Sequence, residues 1–229
     1  HECLGHGSGQ LLPGVSPDAL KAYGNTIEEA RADLFGLYYL ADEKLVQLGL
    51  VPDAEAYRAQ YYTYLMNGLL TQLTRIEPGK QIEESHMRNR ALIARWVIDQ
   101  GNGAAELIRR DGKIFVRIND YPRLRDLFAR LLAEIQRIKS EGDFDAARHL
   151  VESYSVKVDA GLHREVLDRY ARLCLAPYKG FINPRLTPVT DENGAIVDIA
   201  IDYTEAYDEQ MLRYSTHYSF LSTENLETK

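Results

Sequence analysis

Two histidines five residues apart, with a glutamate directly after the first, set the tightest local constraint in this chain: His1-Glu2-Cys3-Leu4-Gly5-His6. In the common zinc-peptidase pattern H-E-x-x-H, the histidines are four apart on a helix and share a metal from one face, while the glutamate acts on a bound water. Here Gly5 is inserted ahead of His6. At about 100° per residue, five steps carry the second imidazole roughly 140° around an ideal α-helix, too far for two ligands of one ion. The segment serves a metal only if the backbone takes a π-type turn of about 4.4 residues, a rare device found disproportionately at functional sites. Gly5 makes that distortion sterically cheap. The bland alternative is a pair of surface or tag histidines. A tag repeats histidine, whereas this segment mixes Cys3, Leu4 and Gly5 and runs into Gly7-Ser8-Gly9.

A second acidic cluster follows, Glu28-Glu29-Ala30-Arg31-Ala32-Asp33. It opens a helical stretch in which Glu29 and Asp33 share a face. Glu29 would complete the arrangement of catalytic zinc, three protein ligands and one water. The competing reading is a capping box, with Thr26 as N-cap and Glu29 three positions into the helix. Capping accounts for one glutamate and leaves Glu28 and Asp33 unassigned. Histidines on a metal usually give their second N–H to a carboxylate, which would occupy both.

His1 to Gly9 (HECLGHGSG) followed by Glu28 to Asp33 (EEARAD) resembles the dipeptidyl peptidase III family, zinc exopeptidases with an H-E-x-x-G-H motif and a downstream E-E-x-R-A-(E/D). A third patch, Glu84-Ser85-His86-Met87-Arg88-Asn89-Arg90, is similar to that family's helix bearing a histidine and an arginine. The resemblance implies one zinc ion per chain held by His1, His6 and Glu29, with Glu2 as the general base on its water and Glu28 and Asp33 steadying the ligands. It implies that His86 stabilises the transition state and that Arg90 and Arg185 hold the peptide. Asp33 stands where glutamate is expected in many relatives; its shorter arm calls for a closer approach or a bridging water. The activity implied is removal of dipeptides from the amino end of short peptides. Two other readings stay open: a zinc endopeptidase sharing the ligand logic, and a non-catalytic, zinc-stabilised peptide-binding module.

The formal net charge of -7 argues against a nucleic-acid partner, which favours basic excess. Two cysteines, Cys3 and Cys174, make no disulfide framework, so a reducing, cytoplasmic setting is expected. No apolar run is long enough to span a membrane. A metal ligand at the first residue would fray without preceding structure, so the expectation is a C-terminal helical catalytic lobe, residues 1–229, of a longer two-lobed metallopeptidase. The N-terminal lobe would be absent and the fragment inactive alone.

The expected fold is mainly α: a multi-helix zinc-binding lobe with two small β-hairpins. Apolar periodicity and stop signals predict helices over about 27–48, 54–75, 82–100, 124–140, 144–154, 162–173 and 205–214. Asp111-Gly112 and Asn193-Gly194 mark hairpins at about 106–118 and 186–203. An irregular stretch is expected from Ala176-Pro177, and a frayed tail after Leu221. Tyr57, Tyr61, Tyr62 and Tyr64 read as packing aromatics, His149 and His163 as ordinary residues, and Cys174 as a small apolar filler.

Overall fold

The computed structural model describes residues 1–175 and 182–219. The expected irregular stretch opening at Ala176-Pro177 and the tail after Leu221 lie outside the described residues. The chain divides into two compact units, His1–Cys174 and Leu175–Lys229. The mainly helical architecture with two antiparallel hairpins is as the sequence predicts.

The first unit opens with a π-helical turn, Glu2–His6. It rests on α1 (Gly24–Leu40), which packs against α4 (Ser85–Gln100) and α5 (Tyr121–Glu141). Between them come α2 (Glu43–Gln47) and α3 (Ala56–Leu69); α6 (Phe144–Tyr154) and α7 (Ala160–Ala171) follow α5. The apolar positions of α5, Leu124, Leu127, Phe128, Leu131, Ile135 and Ile138, recur at helical spacing and are all buried. They meet Ile27, Leu34 and Leu37 of α1 in one core. Tyr61 of α3 enters that core edge-on to Phe128, ring centroids 4.9 Å apart, and its hydroxyl donates to the Leu37 carbonyl at 2.8 Å. The buried phenol is thus satisfied, as burial requires. Helices α3 and α4 approach closely at Gly68, where a Cβ would stand 2.4 Å from the Arg90 carbonyl oxygen.

Aspartates start each of the last three of these helices. Asp120, Asp143 and Asp159 each accept a backbone N–H from the first turn of α5, α6 and α7. Gly142, at φ 67°, closes α5 in the left-handed conformation that glycine adopts freely. The first hairpin pairs β1 (Ala105–Arg110) with β2 (Lys113–Ile118) around Asp111 and Gly112, whose φ values of 51° and 73° suit a two-residue turn of the primed type.

In the second unit, β3 (Arg185–Thr190) pairs with β4 (Ile196–Asp202) in register Leu186↔Ile201, with an irregularity at Val189/Thr190. Helix α8 (Tyr207–Tyr218) follows. The Gln210 side chain exchanges hydrogen bonds with the backbone N–H and carbonyl of Asn183.

Several boundaries differ from the sequence reading. The helix expected over 27–48 starts at Gly24 and ends at Leu40, because Asp42 adopts an extended conformation and caps α2 through Lys44 N–H. The capping box that competed with a ligand role for Glu29 is not formed: Thr26 lies buried inside α1, and Tyr23, the residue at the cap, gives no side-chain bond. The helix expected over 54–75 stops at Leu69 and continues as a 3₁₀ segment, Thr71–Arg75, after Leu70 leaves helical geometry. Cys174 is exposed at φ 47° rather than filling a core. His163 is a satisfied core histidine, its Nε2 facing the carbonyls of Leu73 and Ile76 at 3.0 and 3.1 Å.

Candidate metal centre

A metal shared by His1 and His6 would require a π-turn, and Glu2–His6 forms one. The His6 backbone N–H donates to the His1 carbonyl at 2.9 Å and the Gly7 N–H to that of Glu2 at 3.0 Å, the i→i+5 pattern that widens a helix. The extra residue returns His6 over His1. Their rings meet edge-to-face, and the two Nε2 atoms stand 3.0 Å apart.

Gly5 has a different function from the one its flexibility suggests. It is absent from the residues with positive φ. It is buried against α1, and a Cβ there would lie 2.8 Å from both the Cα and Cβ of Ala32. The glycine is needed for close approach between the two motifs. Gly5→Ala is therefore expected to push the turn off α1. It should destabilise the chain by about 1–3 kcal/mol, as overpacking of a tight contact does, and weaken zinc binding in parallel. Calorimetric titration with zinc, read beside thermal unfolding, checks both.

Each histidine is oriented by a carboxylate. His1 Nδ1 lies 2.7 Å from Asp33 Oδ1, and His6 Nδ1 lies 2.9 Å from Glu28 Oε1. A ring nitrogen facing a carboxylate donates its hydrogen, which leaves the other nitrogen of a neutral imidazole as a lone pair. Both Nε2 lone pairs consequently face one another across 3.0 Å. With both rings neutral this contact has no hydrogen to share; a cation beside both nitrogens satisfies it, as does a proton held between the two rings.

The third donor is Glu29. Its Oε2 is buried with no hydrogen-bond partner and lies 3.4 Å from His1 Nε2 and 3.7 Å from His6 Nε2. His86 Nδ1 approaches the same oxygen at 3.2 Å, without the alignment of a hydrogen bond. An orphaned buried carboxylate oxygen is costly unless something cationic satisfies it. Ligands about 2.0–2.2 Å from a tetrahedral zinc stand about 3.3–3.5 Å from each other, close to the separations found here. His1, His6 and Glu29 form the group suited to a metal among the described residues. The donor set, two imidazoles and one carboxylate, fits zinc.

Glu28 is held by more than His6. Arg31, fully buried, donates from Nε and Nη2 to its two oxygens at 3.0 and 2.8 Å, and Lys139 of α5 donates at 2.6 Å. Burial pushes the Glu28 carboxyl up, but the hydrogen bonds from Arg31, Lys139 and His6 outweigh it and hold the group down at about 2. Arg31 also donates to the Gly5 carbonyl at 2.6 Å and to the Ser8 hydroxyl at 3.0 Å, clasping the π-turn to α1.

Glu2 points away from this network. Its side chain is 82% exposed, with Oε1 3.9 Å from His1 Nε2, on the open side of the centre. His86 stands at the start of α4, where Glu84 caps the helix by accepting from the His86 and Met87 N–H groups. Arg90 is one turn further along α4 and half-buried. Arg185 begins β3 and belongs to the second unit.

The sequence model of peptidase family M49 matches residues 15–172. The chain belongs to this family. The matched span contains the Glu28–Asp33 and Glu84–Arg90 segments and begins after the π-turn. Mouse dipeptidyl peptidase 3 is 25% identical over 201 residues, covering 70% of this chain and 27% of that protein. The human protein is 24% identical with the same coverage. Among solved structures, DPP III from Caldithrix abyssi shares the fold with a TM-score of 0.53 at 22% identity, over 71% of this chain and 30% of the other. Dipeptidyl-peptidase III from Corallococcus sp. strain EGB gives 0.51 at 26% identity, over 67% and 26%. The chain thus spans roughly a quarter of the length of the relatives it matches.

Within this M49 chain, two polar contacts at the centre escaped the sequence reading. Asp33 Oδ2 accepts from the Tyr64 hydroxyl and from Asn89 Nδ2, each at 2.8 Å. Burial, with Asp33 beside it, pushes the Tyr64 phenol well up, so it stays a donor. Of the tyrosines of α3 read as packing aromatics, Tyr61 lies in the core, whereas Tyr62 is exposed.

Proposed function

We propose that the chain is the zinc-holding helical lobe of a dipeptidyl peptidase that removes dipeptides from the amino end of short peptides. In this reading a further lobe, carried by the rest of a longer polypeptide, completes the substrate cleft. The observation that carries the proposal is the buried Glu29 Oε2, without a hydrogen bond and faced by the Nε2 atoms of His1 and His6. Membership in M49 and relatives named dipeptidyl peptidase III support the reaction type.

His1, His6 and Glu29 would hold the ion. When bound there, zinc supplies a Lewis acid for the scissile carbonyl and lowers the pKa of a coordinated water. Glu2, on the exposed side of His1, takes the proton of the attacking water and returns it to the leaving amine. His86, near Glu29, donates to the oxygen that gains charge as the carbonyl is attacked. Arg90, one turn along α4 from His86, binds the peptide. An inert structural zinc would take four protein ligands; three converge here, which leaves a position for substrate chemistry. Among the described residues, no helix is long and apolar enough to cross a membrane.

The test is chain-end dependence. The longest polypeptide carrying this chain, loaded with zinc, should release dipeptides from short peptides with a free amino terminus. Acetylating that terminus should abolish release. Cleavage of the acetylated peptide at internal bonds would replace the dipeptidyl reading with an endopeptidase.

A further inference from the structure

We propose that Tyr64 and Asn89 are positioning residues for the metal centre: by fixing Asp33 they hold the His1 ring in the orientation that makes it a ligand. The inference rests on the zinc reading of His1, His6 and Glu29, and reaches residues outside the motifs that suggested it.

The geometry is a three-helix clamp on one carboxylate. Asp33 projects from α1, Tyr64 from α3 and Asn89 from α4. Oδ1 of Asp33 faces His1 Nδ1 at 2.7 Å, and Oδ2 takes both the Tyr64 hydroxyl and Asn89 Nδ2 at 2.8 Å. Two donors on one oxygen fix the carboxylate plane, so the other oxygen has a single direction in which to meet the imidazole. An unsupported aspartate has a free rotamer choice, and its short arm gives little tolerance in where the ring is held.

The two histidines are therefore steadied by different chemistry. Glu28, behind His6, is gripped by the charged groups of Arg31 and Lys139. Asp33, behind His1, receives neutral donors on the oxygen that faces away from the ring. Both donors are costly to keep. Asn89 is fully buried, with its Oδ1 lacking any partner, and Tyr64 is nearly so. A leucine or phenylalanine would fill either place without leaving a polar atom unpaired. The bond to Asp33 is what the polar atoms contribute in return.

The experiment is a double-mutant cycle on zinc affinity, measured by chelator competition on the full 229-residue chain, with far-UV circular dichroism as the check on folding. Tyr64→Phe removes one oxygen and should weaken zinc about tenfold, the lower end of what loss of a ligand's outer hydrogen-bond partner costs. In an Asp33→Ala background the same change should weaken it less than about twofold, because the path to His1 is already cut. Asn89→Ala should repeat the pattern, and it replaces Tyr64→Phe if that variant does not fold. Equal losses in both backgrounds would show a packing effect and overturn the proposal, as would wild-type affinity in both single variants. A wild-type chain that binds zinc while these cycles fail leaves the metal centre standing and the positioning role refuted. A wild-type chain that binds no zinc refutes both.

Discussion

Glu29→Ala is expected to strip the chain of tight zinc binding while leaving its fold intact. One of three protein ligands is lost, so affinity should fall by more than the roughly 10–100-fold that loss of an outer partner costs. The stability of the metal-free chain should not fall, because the oxygen removed is buried and costly there without a cation. Glu29 Oε2 makes no hydrogen bond, so its removal leaves no partner stranded. It caps no helix, since α1 begins at Gly24 without a side-chain cap; a capping glutamate would instead cost about 1 kcal/mol on removal. The decisive measurement is the rise in melting temperature that zinc confers, which follows from binding to the folded state alone. Wild type should show that rise and Glu29→Ala should not. An undiminished rise in the variant would remove Glu29 from the ligand set.

Glu2→Gln is expected to separate binding from chemistry. The substitution keeps shape and lies on an 82% exposed side chain, so folding and zinc content should match wild type. Peptide turnover should fall at least about a hundredfold in kcat, the scale of losing a general base. Zinc content by atomic absorption and dipeptide release, both on the longest polypeptide that carries the chain, give the two readouts. Near-normal kcat would assign proton transfer to another group.

The helix-widening turn was legible before any coordinates, because five-residue histidine spacing admits a shared metal in no other helical geometry. The hairpins were equally readable from Asp-Gly and Asn-Gly, whose glycines sit at φ 73° and 81°. Helix α6 fell at the predicted residues since Asp143 caps one end and apolar periodicity marks the rest. Other features depend on the tertiary fold. Tyr64 and Asn89 reach Asp33 across 31 and 56 residues of chain, and Lys139 reaches Glu28 across 111. No local pattern distinguishes such residues from ordinary packing tyrosines or surface lysines. Gly5 was noticed for the wrong reason: the sequence shows the missing side chain but not Ala32, the surface that requires it. The break at Asp42 was missed because apolar spacing runs on through Leu45 and Leu48, while the cap that interrupts it depends on one aspartate's backbone conformation.

The contact between Gly5 and Ala32 makes the two motifs a single inheritable part. A helical protein given only His1–His6 would receive two ligands with nothing flat enough to seat them. One given only Glu28–Asp33 would present a carboxylate with no turn to face it. Anyone grafting this centre onto another scaffold has to move both segments together, with the buried arginine that clasps one to the other. The same coupling binds natural drift: enlarging either small residue alone pries the turn from its helix, so the pair can change only in concert.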